Sequence, residues 1–246
     1  MPCPFDHLTP PSGFIEQKTD THTWWFKDSL LAEILKALEH IEDGSAQSQR
    51  GGRGTIQRVP LGDQGNAIVR RYKRGGFVRH FVHDLYWDRP PRPFAELICT
   101  ETTRERGVPT VEVLGAGVER VAFGLYRGTV ITREAEGFLN WWDWLQTHPP
   151  AQERQLVTQK VVQAITHMHA AGIYHADLNL TNILVRLESG QPEILIIDFD
   201  RARIFTTTLP SSRRKRALAR LLRSMKKLDP KGHFLPFAER DVFLIG

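Results

Sequence analysis

Cysteine is almost absent from this chain of 246 residues. Cys3 and Cys99 are the only two, and they form neither a CxxC pair nor a metal-ligand spacing, so both are expected as free thiols rather than a disulfide. The ten histidines are scattered and make no HExxH, which leaves zinc chemistry without support. Long apolar runs are missing as well: none reaches the eighteen or so residues that a membrane-spanning helix requires. The opening MPCPFDHLTP has neither the basic nor the apolar region of a signal peptide, and the expectation is a folded protein that stays in the cytoplasm. There is no internal repeat and no low-complexity linker. With 25% charged and 41% hydrophobic residues, the composition excludes disordered and fibrous classes. A chain of this length can bury a substantial core as one domain or two lobes.

Acidic residues are missing from one place in particular. The segment RRKRALARLLRSMKK, Arg213 to Lys227, holds eight basic residues and no acidic one, and since the net charge is +5 the rest of the chain sums to −3. Leu218, Leu221, Leu222 and Met225 recur there at helical spacing, which predicts a core-facing stripe with Arg213, Arg214, Lys215, Arg216, Arg220, Arg223, Lys226 and Lys227 largely outside. So many cations without an anion exceed what solubility needs and point to an anionic membrane surface. Aromatic residues are not interleaved as stacking platforms, which argues against nucleic acid.

Along the chain, DSLLAEILKALEH puts Leu30, Leu31, Ile34, Leu35, Leu38 and Ile41 on one helical stripe, with Asp28 or Ser29 as N-cap. Short extended runs follow at TIQRVPL and NAIVRRY between glycine-rich turns. A helix is expected from about Pro93 to Arg106, stopped by Gly107 and Pro109. Three further short strands are expected at VEVLGAG, VAFGLY and GTVITREAEG. From Phe138 onward the pattern turns helical, first in FLNWWDWLQ and then in a longer helix with Leu156, Val157, Val161, Ala164, Ile165 and Met168 on one face, ending at Gly172. Strands first and helices later imply an α+β chain of two lobes.

The residues that carry chemistry lie in HADLNLTN, His175 to Asn182, and in the IIDFD that follows a strand-like run. Phosphoryl transfer from a nucleotide needs an aspartate near the attacking hydroxyl, a second carboxylate on the metal that bridges the phosphates, and an amide oxygen in the metal's shell. Asp177, Asp198 and Asn182 supply these three groups. Asp177 and Asn182 lie five apart in a loop after a helix, and the apolar EILIID lets a strand pair return Asp198 beside them. A polar turn with local caps is the plainer alternative.

These motifs, with MHAAGIYHADLNLTNILV and IIDFDRARI as the widely shared part, resemble the protein-kinase-like fold. Within it the resemblance is to the bacterial lipopolysaccharide kinases, most closely those acting on 3-deoxy-D-manno-octulosonic acid (Kdo); VRRYKRGGFVRHFVHDLYW, FAELICTETTRERGVPTVEVLGAG and RALARLLRSMKKL carry that narrower part. It covers about Gly51 to Leu228. It implies a two-lobed α+β fold with a mostly β N-lobe at 51–134 and a helical C-lobe at 135–246, preceded by an extension with a helix at 1–50. It also implies an enzyme using ATP and Mg²⁺ on the 4-hydroxyl of the Kdo residue in a Kdo-lipid A precursor, peripheral on the cytoplasmic face of the inner membrane. Carried over residue by residue, Asp177 is the catalytic-loop aspartate, Asn182 and Asp198 are magnesium ligands, and His175 is a structural support of the loop. Gly51, Gly52 and Gly54 of GGRGTI sit where a phosphate-covering loop is expected, and Glu96 resembles the glutamate that pairs with a strand lysine.

The strand itself departs from the pattern. Arg70 stands at the lysine's place, where its planar fork still suits phosphate and Glu96, and Lys73 is the alternative register. Asp200 replaces the glycine of DFG. No APE follows, and hardly any chain separates DFDRARIF from the basic helix, so the platform on which protein kinases lay a peptide is absent and a protein substrate is not expected. Other readings are a core heptose kinase or small-molecule phosphotransferase, and, given Arg70 and Asp200, a binding module that keeps the fold without turnover.

Overall fold

The computed structural model describes residues 8–42, 47–51, 54–72, 85–86, 90–122 and 125–244. It divides into two compact units, Met1–Glu101 with Glu112–Glu134 and Thr102–Val111 with Ala135–Gly246.

Among the described residues, the first unit is built on seven antiparallel strands: β1 (Phe14–Lys18), β2 (His22–Lys27), β3 (Gln47–Gly51), β4 (Gly54–Pro60), β5 (Asn66–Arg71), β6 (Val113–Ala122) and β7 (Leu125–Arg133), in the spatial order β1-β2-β6-β7-β5-β4-β3. Two helices accompany it, α1 (Leu31–Glu42) and α2 (Arg92–Glu105). Side chains alternate across a strand, and β2 shows the result: Trp25 packs with Phe94 and Leu97 of α2, while its neighbour Phe26 packs with Ile34 and Ala37 of α1. The Trp25 and Phe94 rings stack with centroids 4.1 Å apart. On β5, Ala67 and Val69 belong to the α1 side. Arg70, one residue on, therefore points to the other face, as does Tyr72 just past the strand, which packs in the core cluster of α2.

The structure differs from the sequence reading at three points. β1 and β2 lie within the first fifty residues, set apart above as an extension with a helix, yet they pair with each other and, through β2 and β6, with the rest of the sheet; the alternation in THTWWFK is the strand signal. Before α1, Asp28–Leu30 is a 3₁₀ turn, and no side-chain cap bond is made at its start. The three strands expected between Val111 and Gly137 are two, because glycines that look like punctuation lie inside them. A Cβ on Gly117 would stand 2.3 Å from the Trp24 ring, and one on Gly115 2.9 Å from the Trp25 carbonyl oxygen. These glycines admit the aromatic side chains and backbone of the neighbouring strand.

The second unit holds α3 (Trp141–Gln146), α4 (Ala151–Ala170) and α5 (Ser211–Leu228), a short α6 (Phe237–Arg240), a three-stranded sheet of β11 (Gln191–Ile196), β10 (Ile183–Glu188) and β8 (Leu139–Asn140), and a pair of β9 (Ile173–Tyr174) with β12 (Arg203–Ile204). Asn140 caps α3, its side chain accepting from the Asp143 N–H. The stripe on α4 is buried at Val157, Val161, Ala164, Ile165 and Met168. After it, Gly172 takes φ +75°, and a Cβ there would lie 2.4 Å from the Thr207 carbonyl oxygen, so this position requires glycine both for its conformation and for its close approach. The β10–β11 hairpin turns at Ser189 and Gly190, both at positive φ, the requirement of a two-residue type I′ turn.

Along α5, Ala217, Leu218, Leu221 and Met225 are buried and Leu222 is half-buried. Its C-terminal end is fixed by Asp229, a buried carboxylate that accepts from the N–H groups of His233, Phe234 and Leu235 and pairs with Arg240. Burial pushes the Asp229 carboxyl up, but those backbone bonds and Arg240 outweigh it and hold it below the usual range.

Candidate active site

The loop from His175 to Asn182 is held mainly by its own polar groups. His175 is fully buried; its Nδ1 accepts from the Asp177 N–H at 3.1 Å, which leaves Nε2 as the protonated nitrogen that donates to the Ile197 carbonyl at 2.9 Å. One imidazole thus links the Asp177 backbone to the residue before Asp198. Burial pulls the His175 pKa down, against the opposing pull of the Ile197 carbonyl, Asp198 and Asp177, and keeps the ring neutral as this tautomer requires. The Asp177 carbonyl accepts from both Asn179 Nδ2 at 2.8 Å and Asn182 Nδ2 at 3.0 Å. These bonds fix the loop without engaging the Asp177 carboxylate.

The hairpin β10–β11 supplies the second carboxylate. Its register, from Ile183 against Ile196 to Glu188 against Gln191, starts one residue after Asn182 and ends two before Asp198. The Ile197 N–H donates to the Asn182 carbonyl at 3.0 Å, so across the hairpin's open end one expected magnesium ligand, Asn182, is joined to the residue before the other, Asp198. Asp198 takes φ +67°, an uncommon conformation for a non-glycine residue of the kind found at functional sites. Asn182 turns its amide nitrogen to Asp177, leaving the amide oxygen as an acceptor. A carboxylate and an amide oxygen fit Mg²⁺, which takes one or two protein oxygens and completes its shell with water and phosphate.

Sequence reasoning did not find Arg220. It lies on α5 among the cations placed outside above, yet its Nε donates to Asp177 Oδ1 at 2.7 Å, and its Nη2 pairs with the same oxygen. Ser224, one turn later, accepts from the Leu180 N–H at 3.4 Å. Spacing alone offered a weak signal: Arg220 and Ser224 lie four apart beside the apolar stripe. Arg213 and Arg214 also differ from the expectation, since both are half-buried. The Arg213 guanidinium lies 5.5 Å from the Tyr174 ring centroid, and Arg214 lines a small cavity of about 120 Å³ with His169 and Leu218.

In the first unit, Arg70 Nη2 pairs with Glu96 Oε1 at 2.5 Å, and the Tyr72 hydroxyl donates to Glu96 Oε2. Glu96 is only 5% exposed, so it is not a solvated helix carboxylate. Burial and the Glu96 charge raise the Tyr72 pKa well above its usual value. Tyr72 was missed above, although a residue two after Arg70, just past the end of an extended strand, falls on the same face. Gly51 and Gly54 face each other across the end of the β3–β4 hairpin. Gly52 and Lys73 lie outside the described residues.

The chain matches the model of the lipopolysaccharide kinase (Kdo/WaaP) family over residues 35–243. It is 30% identical to a 3-deoxy-D-manno-octulosonic acid kinase of Vibrio cholerae over 82% of this chain and 85% of that one, and 34% identical to one of Stenotrophomonas maltophilia over 72% and 68%. Among solved structures, WaaP in complex with acyl carrier protein superposes with a TM-score of 0.55 at 17% identity, covering 84% of this chain and 80% of that one, which shows the protein-kinase-like fold. On these matches the chain belongs to the lipopolysaccharide kinase (Kdo/WaaP) family and is an ATP-dependent phosphotransferase of lipopolysaccharide biosynthesis.

Proposed function

We propose that the protein is a Kdo kinase that phosphorylates the 4-hydroxyl of Kdo in a Kdo-lipid A precursor, working with Mg²⁺ at the cytoplasmic face of the inner membrane. The observation that carries this reading is the Asp177 loop, whose backbone is fixed at both its N–H and its carbonyl while its carboxylate stays 39% exposed. Asp177 orients the acceptor hydroxyl and takes its proton on a carboxylate oxygen as that hydroxyl oxygen attacks the γ-phosphorus and the bond to the β,γ-bridging oxygen breaks, releasing ADP. His175 holds the loop in register with Ile197. Asn182 and Asp198 would hold Mg²⁺, which when bound offsets the charge of the phosphates. In the first unit, Arg70 is the cation for ATP phosphate and Glu96 positions it, while backbone N–H groups of the hairpin at Gly51 and Gly54 would cover the phosphates.

Twelve residues, 199–210, separate Asp198 from the start of α5. That is little chain for a peptide platform and supports a sugar acceptor. No helix among the described residues is long and apolar enough to cross a membrane, and the exposed Lys215, Arg216, Arg223, Lys226 and Lys227 of α5 support attachment to an anionic surface, each cation contributing up to about 1 kcal/mol. Changing these five to glutamine is expected to weaken binding to vesicles containing anionic lipid, and salt should have the same effect on the unaltered protein. Vesicle binding indifferent to both would remove the membrane part of the reading.

The deciding experiment incubates the protein with ATP, Mg²⁺ and, separately, Kdo-lipid A precursor, heptosylated core and a generic protein, with mass spectrometry of each product. One added phosphate on Kdo is expected. Product on the heptosylated core alone identifies a heptose kinase, and product from none of them identifies a binding module.

A further inference from the structure

The carboxylate assigned to take the acceptor's proton already has a cationic partner. Arg220 reaches Asp177 through Nε and Nη2, and both contacts fall on Oδ1. This is not the two-oxygen fork that makes arginine–carboxylate pairs strong. Among the described residues no hydrogen bond reaches Oδ2, which is therefore open to an incoming hydroxyl. The guanidinium has five N–H donors, so three remain after these two contacts. The Asp177 and Arg220 side chains are 39% and 47% exposed, and a pair so exposed is weak and exchangeable. A guanidinium held loosely beside the reacting aspartate is well placed for an anion carried by the acceptor.

We propose that Arg220 binds the carboxylate of the acceptor sugar and so sets acceptor specificity. This rests on the reading of the protein as a Kdo kinase. In a 3-deoxy-2-octulosonic acid, C1 is a carboxylate on the anomeric carbon C2, C3 is a methylene, and C4 bears the hydroxyl to be phosphorylated. The carboxylate and the reacting hydroxyl thus sit on carbons separated by a single methylene, and the Asp177–Arg220 pair offers one acceptor and one cation side by side, with Nε 2.7 Å from Oδ1. The hydroxyl donates to Asp177 Oδ2 while the carboxylate takes the remaining guanidinium N–H groups, in the two-oxygen geometry that Asp177 does not provide. A neutral heptose has no such group and gains nothing from Arg220. The anchoring of α5 at Asp229 and the bond from Leu180 N–H to Ser224 keep this arginine in register with the loop.

The test compares Kdo-lipid A precursor with the same acceptor converted to its Kdo carboxamide, using the unaltered protein, Arg220→Gln and Arg220→Lys. The unaltered protein should show a KM about tenfold or more higher for the carboxamide, the scale of a lost charge-assisted hydrogen bond. Arg220→Gln should raise KM for the natural acceptor by a similar factor and no longer distinguish the two acceptors, with KM for ATP and melting temperature kept. Arg220→Lys, which keeps the charge but not the fork, should fall between. A loss of kcat equal for both acceptors would make Arg220 a positioning residue for Asp177, a gain in kcat for both would make the pair autoinhibitory, and an unaltered protein indifferent to the carboxamide would show that the carboxylate is not read; each overturns the proposal while leaving the Kdo kinase reading intact. Absence of any product on Kdo with the unaltered protein would overturn that reading and the proposal with it.

Discussion

Two arginine–carboxylate pairs, one in each unit, differ in burial, and that difference separates a fixed group from an exchangeable one. Glu96 is 5% exposed and satisfied on both oxygens, by Arg70 and by the Tyr72 hydroxyl. Asp177 is 39% exposed and meets Arg220 through one oxygen. Removing a partner from a buried pair leaves an uncompensated charge and is costly, whereas an exposed pair contributes little to stability. The first pair should therefore register in folding as well as in ATP binding, the second in catalysis with little effect on folding.

The largest effect that would break this comparison lies in turnover. Asp177→Asn is expected to lower kcat by about 10²–10⁴ with the fold and ATP binding kept, because the backbone bonds of the loop do not use the carboxylate. Asp198→Ala should abolish turnover and Mg²⁺-dependent nucleotide binding together. Near-normal kcat in the first variant, or unchanged Mg²⁺ dependence in the second, would withdraw the assigned roles.

Next in size is the buried pair. Glu96→Ala removes the buried carboxylate shared by Arg70 and the Tyr72 hydroxyl and should lower unfolding free energy by about 2–3 kcal/mol, less than for a fully buried pair because Arg70 is 32% exposed. Urea unfolding measures it, and a change under 1 kcal/mol would show that water replaces the carboxylate readily.

Acid sharpens the contrast from the side of the second unit. His169 is buried, and burial, then the Arg214 charge, pull its pKa to about 4; His175 is shifted in the same direction. Between the folded value and about 6.5 the unfolded chain binds more protons, so stability rises with pH there. The contribution of His169 is complete above about pH 6.5 and declines by about 1.4 kcal/mol per pH unit down to about 4. Unfolding at pH 7 and pH 5 should show this loss, and His169→Gln should reduce it. A pH-independent midpoint over this window would contradict both shifts.

The smallest effect is on the exposed pair itself: Arg220→Gln should change unfolding free energy by less than about 1 kcal/mol, even as it changes acceptor KM. A large loss of stability would make Arg220 a structural residue.

Much of the site was legible because it is local. His175, Asp177 and Asn182 share one loop, and the turn at Ser189–Gly190 folds the next fifteen residues into a hairpin that returns Asp198 to Asn182. Arg70 and Glu96 were also paired from the sequence, but only through the resemblance, since nothing local in strand or helix links residues twenty-six apart. The count of strands after Val111 was not legible, because whether Gly115 and Gly117 end a strand or admit Trp24 and Trp25 depends on a strand some ninety residues earlier.

By itself the sequence determined the periodic features: the stripes of α4 and α5, the glycine stop at Gly172, and the offsets of the Asp177 loop, all set by neighbours within a few turns or one hairpin. Only the tertiary structure decided that β1 and β2 complete the sheet, that Arg213 and Arg214 are drawn half inside, and that Arg220, out of eight chemically similar cations, faces Asp177. The physical reason is that periodicity selects which face of a helix is apolar, while the partner of one cation on its polar flank depends on where a loop some forty residues away in sequence is held.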